Sequence, residues 1–180
     1  MFKKLFLTIT VLLLPFSSEL IAQQAAFPII ENYGGIYVIP NSVDPEPDRE
    51  YKIVVDLKTL QRDKSSINPG LNNVARMINL HALGGVKHEN LKVSVAIHGG
   101  ATDVTLTNKA YQKRYEMDNP NIPLIKELKE AGVALYVCGQ SLIAREYEYG
   151  EIHEQVRLGL SMLTVFTTHV QNGYVPMVFD

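Results

Sequence analysis

Gly132-Val133-Ala134-Leu135-Tyr136-Val137-Cys138-Gly139-Gln140-Ser141-Leu142 is the stretch on which the chain is organised. A glycine opens it, an apolar run follows, and a polar, glycine-containing exit ends it, which predicts a sheet strand followed by a tight turn. The only cysteine of the sequence stands at that junction. A thiol in the middle of residues 133–137 would be sealed in and inert. One at the end of the run reaches the loops leaving strand ends, where parallel α/β folds keep their chemistry.

Upstream, Asn119-Pro120-Asn121 opens a helix whose apolar positions Leu124, Ile125, Leu128 and Ala131 recur at helical spacing, and Gly132 stops it. Residues 91–97 form a second strand ending in His98-Gly99-Gly100-Ala101, with Val93, Val95 and Ile97 on one face and Ser94, Ala96 and His98 on the other. Thr107 caps a short helix through Tyr115. The apolar centre of residues 51–57 suits a strand covered on both faces. Asn68 and Pro69 then start a helix carrying Leu71, Val74, Ala75, Ile78 and Ala82 to the stop at Gly84-Gly85, with His81 at the edge of the stripe. Downstream, residues 141–149 suggest a short polar helix, 156–161 a fourth strand, and 174–179 a fifth. Between the last two, residues 162–172 form a helix with Met162, Val165, Phe166 and Val170 inward and Gly173 as its cap. Residues 23–50 form a lead-in, with candidate edge strands at 27–30 and 36–39 about Gly34-Gly35 and a loop at 41–48. Strands alternating with helices imply a mostly parallel sheet between helix layers.

Composition narrows the partners. Lys3 and Lys4, an apolar run over residues 5–16 and small residues up to Ala22 have the layout of a secretory leader, too short for a membrane span. Residues 1–22 are therefore expected to be removed, leaving no membrane attachment, and the location implied is export to a periplasm. Of 17 basic and 19 acidic residues, loss of Lys3, Lys4 and Glu19 leaves 15 and 18. With no long basic run, nucleic acid is a poor partner. One cysteine permits no internal disulfide, so the core of residues 51–180 must hold itself together.

Cys138 is the candidate reactive atom. The thiolate is the nucleophile, favoured near cations, histidines or clustered amides. The amides of Gly139, Gln140 and Ser141 would surround the sulfur if they begin a helix, and Arg145 would add a cation. The competing reading is a small apolar residue closing a strand. His98 is the candidate base, reaching the thiol if the two strands are neighbours, about 5 Å apart. If another strand intervenes, the separation is about 10 Å and the pairing fails; the competing reading, which the residues alone favour, is a histidine hydrogen-bonded to the Gly99-Gly100 turn. Tyr111, Tyr115, Tyr147 and Tyr149 flank the site in sequence. No G-x-S-x-G, phosphate-binding loop or GxGxxG is present, and the five histidines show no ligand spacing, so no cofactor or metal is expected. A thiol hydrolase would need an oriented third group, and the sequence names none.

Asn73-Val74-Ala75-Arg76 with Asn79-Leu80-His81, the His98-Gly99-Gly100-Ala101 strand end, Asn119-Pro120-Asn121, Cys138-Gly139-Gln140-Ser141 and Gln171-Asn172-Gly173-Tyr174 resemble the DsrE/DsrF-like proteins, particularly their exported branch. The resemblance spans residues 51–179. It implies a three-layer α/β/α sandwich with a five-stranded parallel sheet of order 4-3-2-1-5, which makes the His98 and Cys138 strands neighbours. It also implies homo-oligomers, trimers or hexamers, and a cysteine that carries sulfur as a persulfide between donor and acceptor proteins. On that reading Cys138 accepts sulfur, and His98, Gly99, Gly139, Gln140, Ser141 and Arg145 surround it. The alternative is a non-catalytic oligomeric module that binds a small ligand and whose cysteine only packs.

Overall fold

Strand β1 (Tyr51–Leu57) is the hinge of the sheet, pairing in parallel with β2 (Leu91–Ile97) on one side and with β5 (Val175–Phe179) on the other. In the computed structural model, which describes residues 24–180, β3 (Ala134–Cys138) continues from β2 and β4 (Arg157–Gly159) closes that edge. The order is β4-β3-β2-β1-β5 and every pairing is parallel. The expected leader, residues 1–22, lies outside the described residues.

Alternation along the strands decides what each face buries. Ile53, Val55, Leu57, Val93, Val95, Ile97, Leu135 and Val137 share one buried core with helices α1 (Pro69–Leu83) and α3 (Ile122–Glu130). The helices supply Leu71, Val74, Ala75, Ile78, Leu124, Ile125 and Leu128 to the same core. Each aliphatic side chain so removed from water contributes about 1.5–3 kcal/mol. Asn68 caps α1, its Oδ1 accepting from the Leu71 amide at 3.0 Å, and Pro69 takes the first turn, where its missing N–H costs nothing. Thr107 likewise caps α2 (Asn108–Tyr115) through the Ala110 amide.

The opposite face carries Val54, Asp56, Ser94, Ala96, Tyr136 and Cys138, and one helix, α5 (Met162–Gln171), packs across β1, β2 and β3. Val54, Ser94 and Ala96 are buried. Met162, Val165 and Phe166 are half-buried, whereas Val170 is exposed, so α5 is the thinner cover. Gly159 permits its close approach, since a Cβ there would stand 2.6 Å from Val165 Cγ2.

The periodicities locate the main elements; three details differ. The fourth strand spans only residues 157–159, because Leu160 and Ser161 leave the sheet and Ser161 becomes the cap of α5, accepting from the Leu163 amide. The short helix after the cysteine, α4 (Gly139–Ala144), starts at once rather than at Ser141. Residues 27–30 and 36–39 add no strand to the sheet. A single antiparallel bridge joins Ala26 and Ile36, and the segment drapes over α1. Asn79 and Asn72 satisfy its backbone with side-chain hydrogen bonds, which removes the need for a sheet partner. Gly34 fits there for two reasons: its φ is +64° and a Cβ would fall 2.2 Å from the Arg76 amide nitrogen.

Candidate thiol site

Cys138 is the last residue of β3 and the N-cap of α4. The residue is 5% exposed, yet the groups nearest its sulfur are polar. Burial pushes its pKa up, but hydrogen bonds from the Ser141 hydroxyl, the Met162 amide, the Ser141 amide and the Ser161 hydroxyl outweigh it and hold the thiol below its ordinary range. Sγ lies 3.9 Å from Ser161 Oγ. Two chain segments thus converge on the sulfur, the start of α4 and the start of α5.

The neighbouring strand end supplies His98, extended in backbone and on the same face as Cys138. The β2–β3 ladder pairs Ile97 with Val137, so His98 and Cys138 follow directly on strands about 5 Å apart. No hydrogen bond joins them. His98 Nε2 instead lies 2.6 Å from Asp56 Oδ1 on β1. The Gly99 amide donates to Ser141 Oγ at 3.3 Å, tying the turn after His98 to the residue that serves the sulfur. Gly99 has φ +52°, a conformation glycine adopts without strain.

The other expected site residues have different occupations. Gly139 packs against the carbonyls of Gly159 and Leu160, where a Cβ would be 3.0 and 3.3 Å away. Gln140 is exposed and its Nε2 points toward the Leu160 carbonyl at 3.4 Å. Arg145 donates to the Gly99 carbonyl at 2.6 Å and to Asp103 Oδ1 at 3.3 Å, so its cation is committed away from the sulfur. Asp103, in the 3-10 segment Gly99–Thr105, also accepts from Lys64 Nζ at 2.6 Å, Tyr115 at 2.6 Å and Tyr147 at 2.8 Å. Tyr115 and Tyr147 therefore brace a buried carboxylate, and Tyr111 donates to the Lys64 carbonyl. Among the described residues no cluster of three His, Cys, Asp or Glu side chains could hold a metal ion, and no helix is long and apolar enough to cross a membrane.

Sequence reasoning passed over Asp56, Asp103 and Ser161. Asp56 gave a signal, an acid directly after the apolar centre of its strand, whose meaning depends on the strand order. Ser161 gave none at the sequence level, because its contact with Cys138 spans two different elements.

A parallel α/β/α domain with a recessed thiol at the C-terminal end of an inner strand defines the class. The chain belongs to the DsrE/DsrF-like family, whose model matches residues 50–179. Two solved structures share the fold. One is the protein of unknown function MTH1491 from Methanobacterium thermoautotrophicum, with TM-score 0.54 and 17% identity, covering 72% of this chain and 99% of that one. The other is the ychN protein from E. coli, with TM-score 0.52 and 18% identity, covering 72% and 99%. No curated protein matches the chain.

The hydrogen bonds at the sulfur make a direct prediction. Iodoacetamide alkylation of Cys138, followed against pH, inflects below the range of an ordinary thiol. Ser141→Ala removes a donor to the charged form, moves the inflection upward and slows alkylation several-fold at neutral pH. An unchanged profile in the variant would mean that Ser141 does not stabilise the thiolate.

Proposed function

We propose that this protein is an exported, periplasmic carrier of sulfane sulfur, holding it as a persulfide on Cys138 between a donor and an acceptor protein, with no turnover chemistry of its own. The observation that carries this reading is the polar seat of one sulfur at a strand end, with Sγ 3.9 Å from Ser161 Oγ at the start of α5 and with the start of α4 following directly, surroundings that hold the thiol below its ordinary range and suit the anionic terminal sulfur of a persulfide. Membership of the DsrE/DsrF-like family and the leader-like layout of residues 1–22 support the reading. A homo-oligomer belongs to the same reading. Ile143, Leu158, Leu160 and Leu163 are each more than half exposed, and apolar surface of this kind is what subunit contacts bury.

The test is intact-mass measurement after exposure to a small-molecule persulfide. Wild-type protein gains one sulfur on Cys138 and passes it to an added thiol, whereas Cys138→Ser gains none. A wild-type protein that gains no sulfur overturns the proposal.

The 5% exposure of Cys138 favours one rival, a ligand-binding module in which the cysteine packs. In that case Cys138→Ser leaves assembly and binding intact, and wild-type Cys138 resists alkylation until the protein is unfolded.

A further inference from the structure

We infer that Asp56 and His98 form the proton-handling pair of Cys138, with His98 moving the proton and Asp56 acting as the positioning residue behind it. This rests on the carrier reading and adds to it the group that makes each transfer proton-neutral. Asp56, His98 and Cys138 come from β1, β2 and β3, three consecutive strands, and all three share the face packed by α5. Asp56 and His98 are both largely buried, with side-chain exposures of 17% and 20%. The 2.6 Å contact between them is too short to be incidental for two side chains that could each have turned to solvent.

The contact also fixes the ring. A carboxylate only accepts, so Nε2 must carry the proton it donates to Asp56 Oδ1. In the neutral ring the basic lone pair is therefore on Nδ1, which has no hydrogen-bond partner among the described residues. A histidine that served only to close the Gly99-Gly100 turn would spend a ring nitrogen on that turn's backbone. Instead the Gly99 amide goes to Ser141, its carbonyl to Arg145, and the ring to Asp56. Gly99 is satisfied without His98, which leaves the imidazole for another use.

The step balances without an outside oxidant. His98 Nδ1 takes the Cys138 thiol proton, directly or through one water, and Asp56 stabilises the imidazolium. The Cys138 thiolate attacks the terminal sulfur of a donor persulfide, R–S–SH. The new S–S bond forms as the old one breaks, the electron pair of the old bond leaves on R–S⁻, and the imidazolium returns its proton to that thiolate. The products are Cys138–S–SH and R–SH, with His98 neutral again. Unloading to an acceptor thiol runs the same exchange in reverse.

The experiment has three arms on the full chain. Nitrogen-15 NMR of the wild-type histidines reads the ring, and His98 is expected as the Nε2-protonated tautomer. The second arm is the rate of Cys138 alkylation at neutral pH with no persulfide present, and the third is the rate of sulfur loading. Asp56→Asn slows both rates roughly ten-fold, and His98→Ala slows loading by about 100-fold or more, the usual size of a general acid–base contribution. Imidazole added to His98→Ala restores part of both rates, which a purely structural histidine would not allow. Variants that alkylate and load like wild type overturn the proposal, as does a His98 protonated on Nδ1 alone, a result that needs no variant to fold. If wild type loads no sulfur while alkylation still slows in both variants and recovers with imidazole, the pair stands and the carrier reading falls.

Discussion

Replacing Asp103 with asparagine costs the domain about 3–5 kcal/mol, the range seen when one partner of a buried ionic network is removed. Its side chain is 3% exposed, and all four of its close contacts are donors. Oδ1 takes Tyr147 and Arg145, and Oδ2 takes Lys64 and Tyr115. An asparagine amide turned either way places an NH2 against two donors, and it leaves Lys64 and Arg145 without their counter-charge. For a domain of this size the loss corresponds to a fall in melting temperature of about 10 °C. The sign of the pH effect follows from linkage. Burial raises the Asp103 pKa, but Lys64, Tyr115 and Tyr147 outweigh it and hold it below the ordinary 3.8. The unfolded chain therefore takes up the proton first as pH falls. The contribution of Asp103 is complete above the ordinary aspartate range and disappears as pH drops through the lowered folded value. Thermal melts of both proteins from neutral to strongly acidic pH check this: the difference between them narrows in acid. A difference that persists unchanged there would show that the charge is not what stabilises the network.

Asn79→Ala is expected to be nearly as damaging, at about 3–4 kcal/mol. The side chain is fully buried, its Oδ1 accepting from the Ile29 and Ile30 amides at 3.0 and 2.9 Å. Nδ2 donates to the carbonyls of Ile30, Tyr33 and Gly34 at 3.1, 3.1 and 3.2 Å. A methyl group orphans these backbone groups, and each one that stays buried costs about 1–3 kcal/mol. Part of that cost is avoided if the segment lifts away, and the exposure of Ile30, now 1% accessible, limits the saving. Denaturant unfolding with limited proteolysis separates the two responses: the variant is cut within residues 26–36 while the sheet domain resists. A variant with the wild-type midpoint and no new cut would remove Asn79 from its place as the clasp.

The two residues differ in how far they could be foreseen. Asn79 stood among residues that resemble the family, so its position was marked although its work was not. Asp103 was hidden in Ala101-Thr102-Asp103-Val104, where nothing local separates a buried acid from a loop acid. Its partners come from residues 64, 115, 145 and 147, and only the folded chain assembles them. The strands and caps were legible because each depends on a few adjacent residues: an apolar run, an Asn-Pro start, a glycine stop. The sulfur was legible as an atom but not as an environment. Ser161 and Met162, which help to hold the thiol down, lie at the start of α5, more than 20 positions further on. Arg145 shows the converse error of locality, since it follows Cys138 by about two helical turns and its guanidinium nevertheless turns to Asp103 and Gly99.

The hydrogen atom that Gly159 carries in place of a side chain has a reach beyond its own strand. It lets Val165 settle against β4, and the helix that Val165 belongs to delivers the Met162 amide and the Ser161 hydroxyl to Cys138. Helix seating and thiol acidity are thus linked through the residue that pairs with Cys138 across β3 and β4. A lineage could retune the reactivity of its cysteine by adding a methyl group at a neighbouring strand, leaving the recognisable Cys-Gly-Gln-Ser segment untouched.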